Sequence, residues 1–338
     1  MNQKTTRRLL AILEEYKSLG IAEQIDYEKF YLYSIITHST AIEGSTVTEI
    51  ENQLLFDEGI TAKGRTLQEQ MMNLDLKAAY EKSRVLAEQH VPITIDLLKS
   101  LSAIVMKNTG STYKTMLGDF SSANGDLRLL NVRAGTEGRS YLNFQKVPIR
   151  LKEFCEWLNM ERCKITKGNV IDAYALSFDA HYHLVTIHPW ADGNGRMSRL
   201  LMNHLQFECQ LIPMKVMKEQ KAEYIQALVD AREKDDIDIF RTVMFDLHIK
   251  NLQHEIEQFK QSMEEDTIGD KRENVTDVTD RQRAIINLIK DNATVSTIQM
   301  AEKLGVTKRT ILRDIEALKT KQIITRIGSE KTGHWEVK

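Results

Sequence analysis

His188-Pro189-Trp190-Ala191-Asp192-Gly193-Asn194-Gly195-Arg196-Met197-Ser198-Arg199 packs one titratable base, one carboxylate, two glycines, a carboxamide and two arginines into a single loop and the turn after it. Upstream, Tyr174, Leu176, Phe178, His181, Leu184 and Ile187 fall at helical spacing, and no Gly or Pro interrupts the chain from Asn169 until Pro189. His188 therefore ends a buried helix. A residue before proline is pushed out of the helical region, so the chain must turn there, and Gly193 and Gly195 allow backbone angles and close approaches that side chains forbid. From Arg196 to Gln206 the helical pattern resumes through Leu200, Leu201, His204 and Leu205. The loop thus runs into a helix N-terminus, whose free N–H groups and positive dipole end suit an anion.

The side chains suit a nucleotide phosphate in particular. Arg196 and Arg199 are three apart, on one side of the first helical turn, where guanidinium forks can grip phosphate oxygens in a bidentate way that lysine cannot. Asp192 is a hard oxygen ligand of the kind that holds magnesium together with substrate phosphates. Asn194 can orient a phosphate or a metal-bound water. His188, with an ordinary pKa of about 6.5, can take a proton from an attacking hydroxyl near neutral pH. Together these parts describe in-line attack of a hydroxyl on phosphorus.

The run resembles the signature of the Fic (Fic/Doc) family, H-P-F-x-D/E-G-N-G-R-x-x-R, at every defined position except that Trp190 replaces Phe. The resemblance implies transfer of AMP from ATP to a Ser, Thr or Tyr hydroxyl of a protein, which can be the enzyme itself. In those terms His188 is the base, Asp192 holds Mg2+, and Gly193, Asn194, Gly195, Arg196 and Arg199 bind phosphates. The same loop suits transfer of another phosphorylated group or removal of AMP, because it fixes phosphate chemistry more tightly than the leaving group.

Ser39-Thr40-Ala41-Ile42-Glu43-Gly44 matches the S/T-x-x-x-E-G/N pattern of the inhibitory helix of many Fic proteins. Tyr27 to Glu43 reads as a helix with Phe30, Tyr33, Ile36 and Thr40 on adjacent turns, ended by Gly44. Glu43 then faces the negative end of the helix dipole, at a cost of roughly 0.3–1 kcal/mol, and calls for a compensating cation. The resemblance names Arg199, whose pairing with Glu43 would deny it to the γ-phosphate and make the enzyme self-restrained. Between the motifs, 126–133 and 140–144 flank Gly135-Thr136-Glu137-Gly138 and read as a hairpin, where Fic proteins place a flap that docks the target. Val147-Pro148-Ile149, then Leu151, Phe154, Trp157 and Leu158, read as the helix that follows.

With 338 residues, 42% hydrophobic and 28% charged, the chain is long enough for two or more domains of a soluble globular protein. No apolar run is long enough to cross a bilayer, and the basic N-terminus lacks the apolar core of a signal peptide, so no membrane partner and a cytoplasmic location are expected. Cys155, Cys163 and Cys209 are odd in number and widely spaced, and read as buried thiols rather than a disulfide framework or zinc site. The other histidines, His181, His183, His204, His248 and His254, read as structural.

From Lys260 to Thr279 the chain is polar and charged, a linker or a solvated helix end. Beyond it, Ala301, Gly305 and Val306 fit a helix-turn-helix, Thr307 can cap its second helix, and 323–327 with 334–337 read as a two-stranded wing. This part resembles the winged helix-turn-helix domains of bacterial regulators. Residues 280–338 hold twelve Lys and Arg against seven Asp and Glu, about +5, while the whole chain is −2. Lys308, Arg309, Thr310 and Arg313 suit a DNA groove or its phosphates, although such domains also make protein contacts.

The expected architecture is mainly α: a Fic-type helical bundle with a small β-hairpin flap and a C-terminal winged helix-turn-helix. Its expected parts are an N-terminal helical region over 1–110 carrying the inhibitory helix, a catalytic core over 111–259, a linker over 260–279 and the basic domain over 280–338, with a homodimer as one assembly. The competing function is a DNA-binding regulator whose Fic core senses nucleotide without turnover.

Overall fold

The computed structural model describes residues 3–133, 140–165, 168–272, 278–328 and 333–337. They form thirteen α-helices and two antiparallel two-stranded sheets, a mainly α architecture. The N-terminal helices are α1 (Gln3–Ser18), α2 (Tyr27–Ile42), α3 (Glu49–Glu58), α4 (Leu67–Glu88) and α5 (Ile95–Val105). The strands β1 (Thr112–Thr115) and β2 (Gly118–Ser121) follow. Then come α6 (Val147–Lys164), α7 (Val170–Ile187), α8 (Asn194–Glu208), α9 (Lys221–Lys234) and α10 (Ile237–Arg272).

Helix starts sit at side chains that satisfy the free N–H groups of a first turn. Thr48 and Thr66 form reciprocal capping boxes with Glu51 and Glu69, Thr94 accepts from the Leu97 N–H, and Asn169 accepts from the Asp172 N–H. Pro148 occupies the first turn of α6, where its missing N–H costs nothing. The main core joins α2, α4, α5, α6, α7 and α8 through residues such as Ile36, Leu76, Leu101, Leu151, Leu184 and Leu200. Trp190, fully buried within that core, anchors the loop between α7 and α8. Its indole N–H donates to the Gly125 carbonyl at 3.2 Å.

By Cα packing the chain divides into two units, Met1–Glu255 and Ile256–Lys338. The second contains α11 (Asp280–Asp291), α12 (Thr297–Leu304) and α13 (Lys308–Thr320), then β3 (Ile324–Ile327) and β4 (His334–Val337). Gly305 ends α12 with φ 66°, Thr307 caps α13 by accepting from the Thr310 N–H, and Trp335 packs with Ile285, Ile311 and Leu318. The expected helix-turn-helix and wing are both present.

Three expectations change. Residues 260–272 continue α10 rather than forming a linker, consistent with the strong helix formers of Lys260-Gln261-Ser262-Met263-Glu264-Glu265. The stretches flanking the expected flap turn are not strands: among the described residues they share one antiparallel bridge, Arg133 with Ser140, and the turn 134–139 lies outside the described residues. The Arg128 guanidinium joins the two arms instead, donating to the carbonyls of Leu130 and Leu142. A hairpin does form earlier, β1 with β2, closed at Thr115 and Gly118. Of the thiols only Cys155 is buried, while Cys209 is half-buried and Cys163 exposed.

Burial lowers several histidines well below the usual imidazole range, His181 and His248 to about 3, His204 and His188 to about 4. Each binds its proton more weakly folded than unfolded, so stability is fully present above about pH 6.5 and declines as the pH falls toward 4. Thermal melts should show a melting temperature that is flat above neutrality and drops through this window. A melting temperature independent of pH between 7 and 4.5 would contradict the buried neutral histidines.

Candidate active site

The loop between α7 and α8 takes its shape from three backbone positions. His188 is the C-cap of α7, with φ 54° and ψ 62°, and its N–H donates to the Leu184 carbonyl at 3.0 Å. The following Pro189 keeps it out of the right-handed helical region. Gly193 (φ 81°) is the N-cap of α8, and a Cβ there would lie 2.7 Å from Met106 Sδ, so both conformation and space require glycine. Gly193→Ala should therefore cost about 1–2 kcal/mol and lower the melting temperature by roughly 2–8 °C; an unshifted melt would mean that the loop has an alternative conformation.

Asn194 closes the loop on itself: its side chain donates to the Trp190 carbonyl at 2.9 Å and accepts from the Trp190 N–H at 3.1 Å. The carboxamide is thereby occupied, and its backbone N–H at the head of α8 is what it can offer an anion. Asp192 is largely exposed, and its Oδ1 accepts from the Gly193 N–H at 2.6 Å. No group of three His, Cys, Asp or Glu side chains able to hold a metal occurs among the described residues. A divalent cation at Asp192 would thus have to share its coordination with phosphate oxygens and water, the ordinary habit of magnesium.

The two arginines differ. Arg196 is buried, and its Nε and one terminal nitrogen have no hydrogen-bond partner among the described residues. Its nearest carboxylate, Asp192, is 3.8 Å away, and its other terminal nitrogen approaches Met106 Sδ at 3.0 Å. A buried guanidinium with unmet donors is costly unless an anion completes it. Arg199, equally buried, turns its Nε and one terminal nitrogen toward α2 and its C-cap. Its Nε donates to Ser39 Oγ at 2.8 Å, and a terminal nitrogen donates to the Ser39 carbonyl at 3.0 Å and to Glu43 Oε1 at 2.6 Å.

Glu43 is the C-cap of α2, and Gly44 follows with φ 104°. Burial alone would push the Glu43 carboxyl up, but Arg199, with Arg196 and Lys221 behind it, holds it below the usual range. It therefore stays ionised against the helix dipole. Gly195 makes the contact possible, since a Cβ there would lie 2.6 Å from Glu43 Oε1 and 3.1 Å from a terminal nitrogen of Arg199. Glu43, Gly195 and Arg199 line a cavity of about 310 Å³ together with His188, Tyr141 and Arg232.

His188 faces that cavity with one ring nitrogen committed, Nδ1 lying 3.2 Å from the Val185 carbonyl. A carbonyl accepts only, so Nδ1 carries the proton and Nε2 is the basic nitrogen. Burial is the main cause that lowers its pKa to about 4, aided by the cations Arg128 and Arg232 and opposed by the Val185 contact and Glu43.

The Fic/DOC family model matches residues 92–206, which contain this loop and the helices on either side of it. The chain carries a Fic domain. A DeoR-like helix-turn-helix model matches residues 281–328. Among curated proteins, this chain is 30% identical over 237 residues to the protein adenylyltransferase Fic of Drosophila erecta, covering 67% of this chain and 41% of that one. It is 27% identical over 203 residues to protein adenylyltransferase fic-1 of Caenorhabditis elegans, covering 60% and 36%. The chain thus spans less than half the length of these relatives. Two solved structures share the fold. A Fic domain-containing signaling protein of Bacteroides thetaiotaomicron aligns with TM-score 0.62 at 21% identity, over 75% of this chain and 98% of that one. A Fic family protein of Desulfovibrio desulfuricans aligns with TM-score 0.60 at 17% identity, over 100% and 97%.

Sequence reasoning assigned no role to several residues that the fold brings to this site. Tyr224 on α9 shares a hydrogen bond with Arg199, and its hydroxyl lies 2.8 Å from His181 Nε2. Tyr141 stacks on His188, and the Arg232 guanidinium lies 5.2 Å from the Tyr141 ring centre. Arg128 is fully buried, and its guanidinium donates to the backbone carbonyls of His188, Leu130 and Leu142. A lone arginine inside Leu127-Arg128-Leu129-Leu130 was the available signal for it. In the other unit, Lys308, Arg309, Thr310 and Arg313 lie on the first two turns of α13, with Arg313 exposed and the other three half-buried.

Proposed function

We propose that this protein is a Fic-type protein adenylyltransferase restrained by its own Glu43. The carrying observation is the buried, incompletely bonded guanidinium of Arg196 on the helix that follows the loop of His188, whose Nε2 is the basic nitrogen. In this reading the polyphosphate of ATP lies along the N-terminus of α8, on the amides of Gly193 to Gly195, with Arg196 and a released Arg199 as its cations. Magnesium held by Asp192 and the phosphates would offset their charge. His188 Nε2 takes the proton of a Ser, Thr or Tyr hydroxyl on the target protein. That oxygen bonds to the α-phosphorus, the bond from phosphorus to the bridging oxygen breaks, and pyrophosphate leaves. The names of the curated relatives support AMP as the group transferred.

Incubating the protein with magnesium and either α-labelled or γ-labelled ATP tests this. Protein-bound α label is expected. Protein-bound γ label would assign phosphotransfer instead, and absence of both with the Glu43→Gly protein would leave a nucleotide sensor.

The helix-turn-helix match and the basic charge of residues 280–338 support a second role, DNA binding through α13. Arg313→Ala should reduce the slope of log affinity against log salt by about one unit on duplex DNA, because each phosphate contact releases a counterion. Affinity that does not weaken with salt would assign this surface to a protein.

A further inference from the structure

We propose that Tyr141, held in place by Arg128, is a positioning residue for His188: its ring fixes the plane of the imidazole so that Nε2 is presented to the cavity. This rests on the reading of His188 as the base. The two rings are stacked with centres 3.7 Å apart and planes 16° apart. One edge of the imidazole is tied to the Val185 carbonyl, and one face is covered by Tyr141. Rotation about the bond to the ring would break both contacts, so the pair restricts the imidazole to one orientation. Stacked geometry of this kind contributes beyond the area it covers.

Arg128 explains how a segment with a single strand bridge can hold a ring so closely. Its Nε donates to the His188 carbonyl at 2.8 Å, and its backbone N–H donates to the Pro189 carbonyl at 3.0 Å. One terminal nitrogen donates to the Leu130 carbonyl at 2.8 Å, and the other to the carbonyl of Leu142, the residue after Tyr141. One buried guanidinium therefore ties both arms of the flap to the backbone of the base. The Tyr141 N–H adds a bond to the Val132 carbonyl at 3.0 Å. On the open side, the Arg232 guanidinium lies near the face of Tyr141, a cation–π contact that holds the ring down.

The arrangement also sets the charge state of the base. The charged groups that act on His188 are Arg128 of the flap and Arg232 of α9, which disfavour its protonation, and Glu43 of α2, which favours it. Tyr141 contributes by excluding water from one face of the ring. Removing it should let the imidazole rehydrate and its pKa climb from about 4 toward the ordinary value.

Histidine-selective NMR on the full chain decides the matter, with His188→Ala identifying the signal. In Tyr141→Ala the His188 midpoint is expected to rise by at least one pH unit and to lose its ring-current shift. Tyr141→Phe, which keeps the ring, should restore the wild-type midpoint, and Tyr141→Leu, which keeps apolar volume without the aromatic face, should lie between. In a Glu43→Gly background, Tyr141→Ala should lower kcat roughly 10- to 100-fold, as misplacement of a reacting group does, with little change in KM for ATP and an acid limb displaced upward. A wild-type His188 midpoint in both Tyr141→Ala and Tyr141→Leu would overturn the proposal, as would a KM effect without a kcat effect. Should every variant lack transfer activity, the adenylyltransferase reading fails while the NMR titration still decides the role of Tyr141.

Discussion

Glu43→Gly should raise AMP transfer by roughly 10- to 100-fold, the usual range for a coupling between two sites on one protein. Arg199 is buried, and most of its donors are satisfied by α2, by Ser39 as well as by Glu43. A γ-phosphate can recruit this arginine only by displacing the carboxylate, which is ionised and already pays its desolvation through the same guanidinium. Deleting the carboxylate leaves Arg199 held by Ser39 and Tyr224 and free to accept an anion. The measurement is incorporation of α label per minute at saturating ATP, together with the Kd of a non-hydrolysable analogue. Equal incorporation by the two proteins would remove the restraint from the account. Ser39→Ala should have a smaller effect, because Glu43 Oε1 remains at 2.6 Å.

His188→Ala should cut transfer by about 10²–10⁴-fold, the span of general-base catalysis, while ATP affinity changes little. In the proposed reading the binding groups are elsewhere: Arg196, Arg199 and the amides at the head of α8. His188 contributes Nε2 alone, since its Nδ1 faces the Val185 carbonyl. The pH dependence follows with a definite sign. The base must be neutral, and burial lowers its pKa to about 4, so the wild-type rate should hold through pH 6 and fall only as the pH approaches 4. An acid limb centred near 6.5 would mean that the imidazole is solvated in the working enzyme. Retention of full activity by His188→Ala in the Glu43→Gly background would end the case for this residue as the base.

Much of this site was legible in the chain because it is local. The twelve residues from His188 to Arg199 are contiguous, so proline, two glycines and a helical pattern fix their conformation without reference to the rest of the fold. Glu43 was legible through the resemblance of Ser39 to Gly44 to an inhibitory-helix pattern, which also named Arg199 as its partner, while its place against the helix dipole asked only for some cation. Tyr141, Arg128, Tyr224 and Arg232 reach the candidate site only through contacts between distant elements, and nothing within a few residues of Tyr141 signals that it will lie on His188. The flap misled for a physical reason. Its glycine-bearing turn suits a hairpin, but among the described residues its arms share one bridge and are joined instead by the buried Arg128 guanidinium. Residues 260–272 misled because polar composition describes a solvated helix as well as it describes a linker.

On the proposed reading, the hydrogen-sized gap at Gly195 limits the substitutions that could release the restraint. The missing side chain leaves room for the carboxylate of Glu43 today, and in the proposed reaction the triphosphate would need the same room. A mutation at this position that ejects the lock therefore also obstructs the key, and Gly195→Ala should not reproduce the gain expected from Glu43→Gly. Substitutions that raise activity are therefore expected on the helix that bears the carboxylate, with the glycine left untouched.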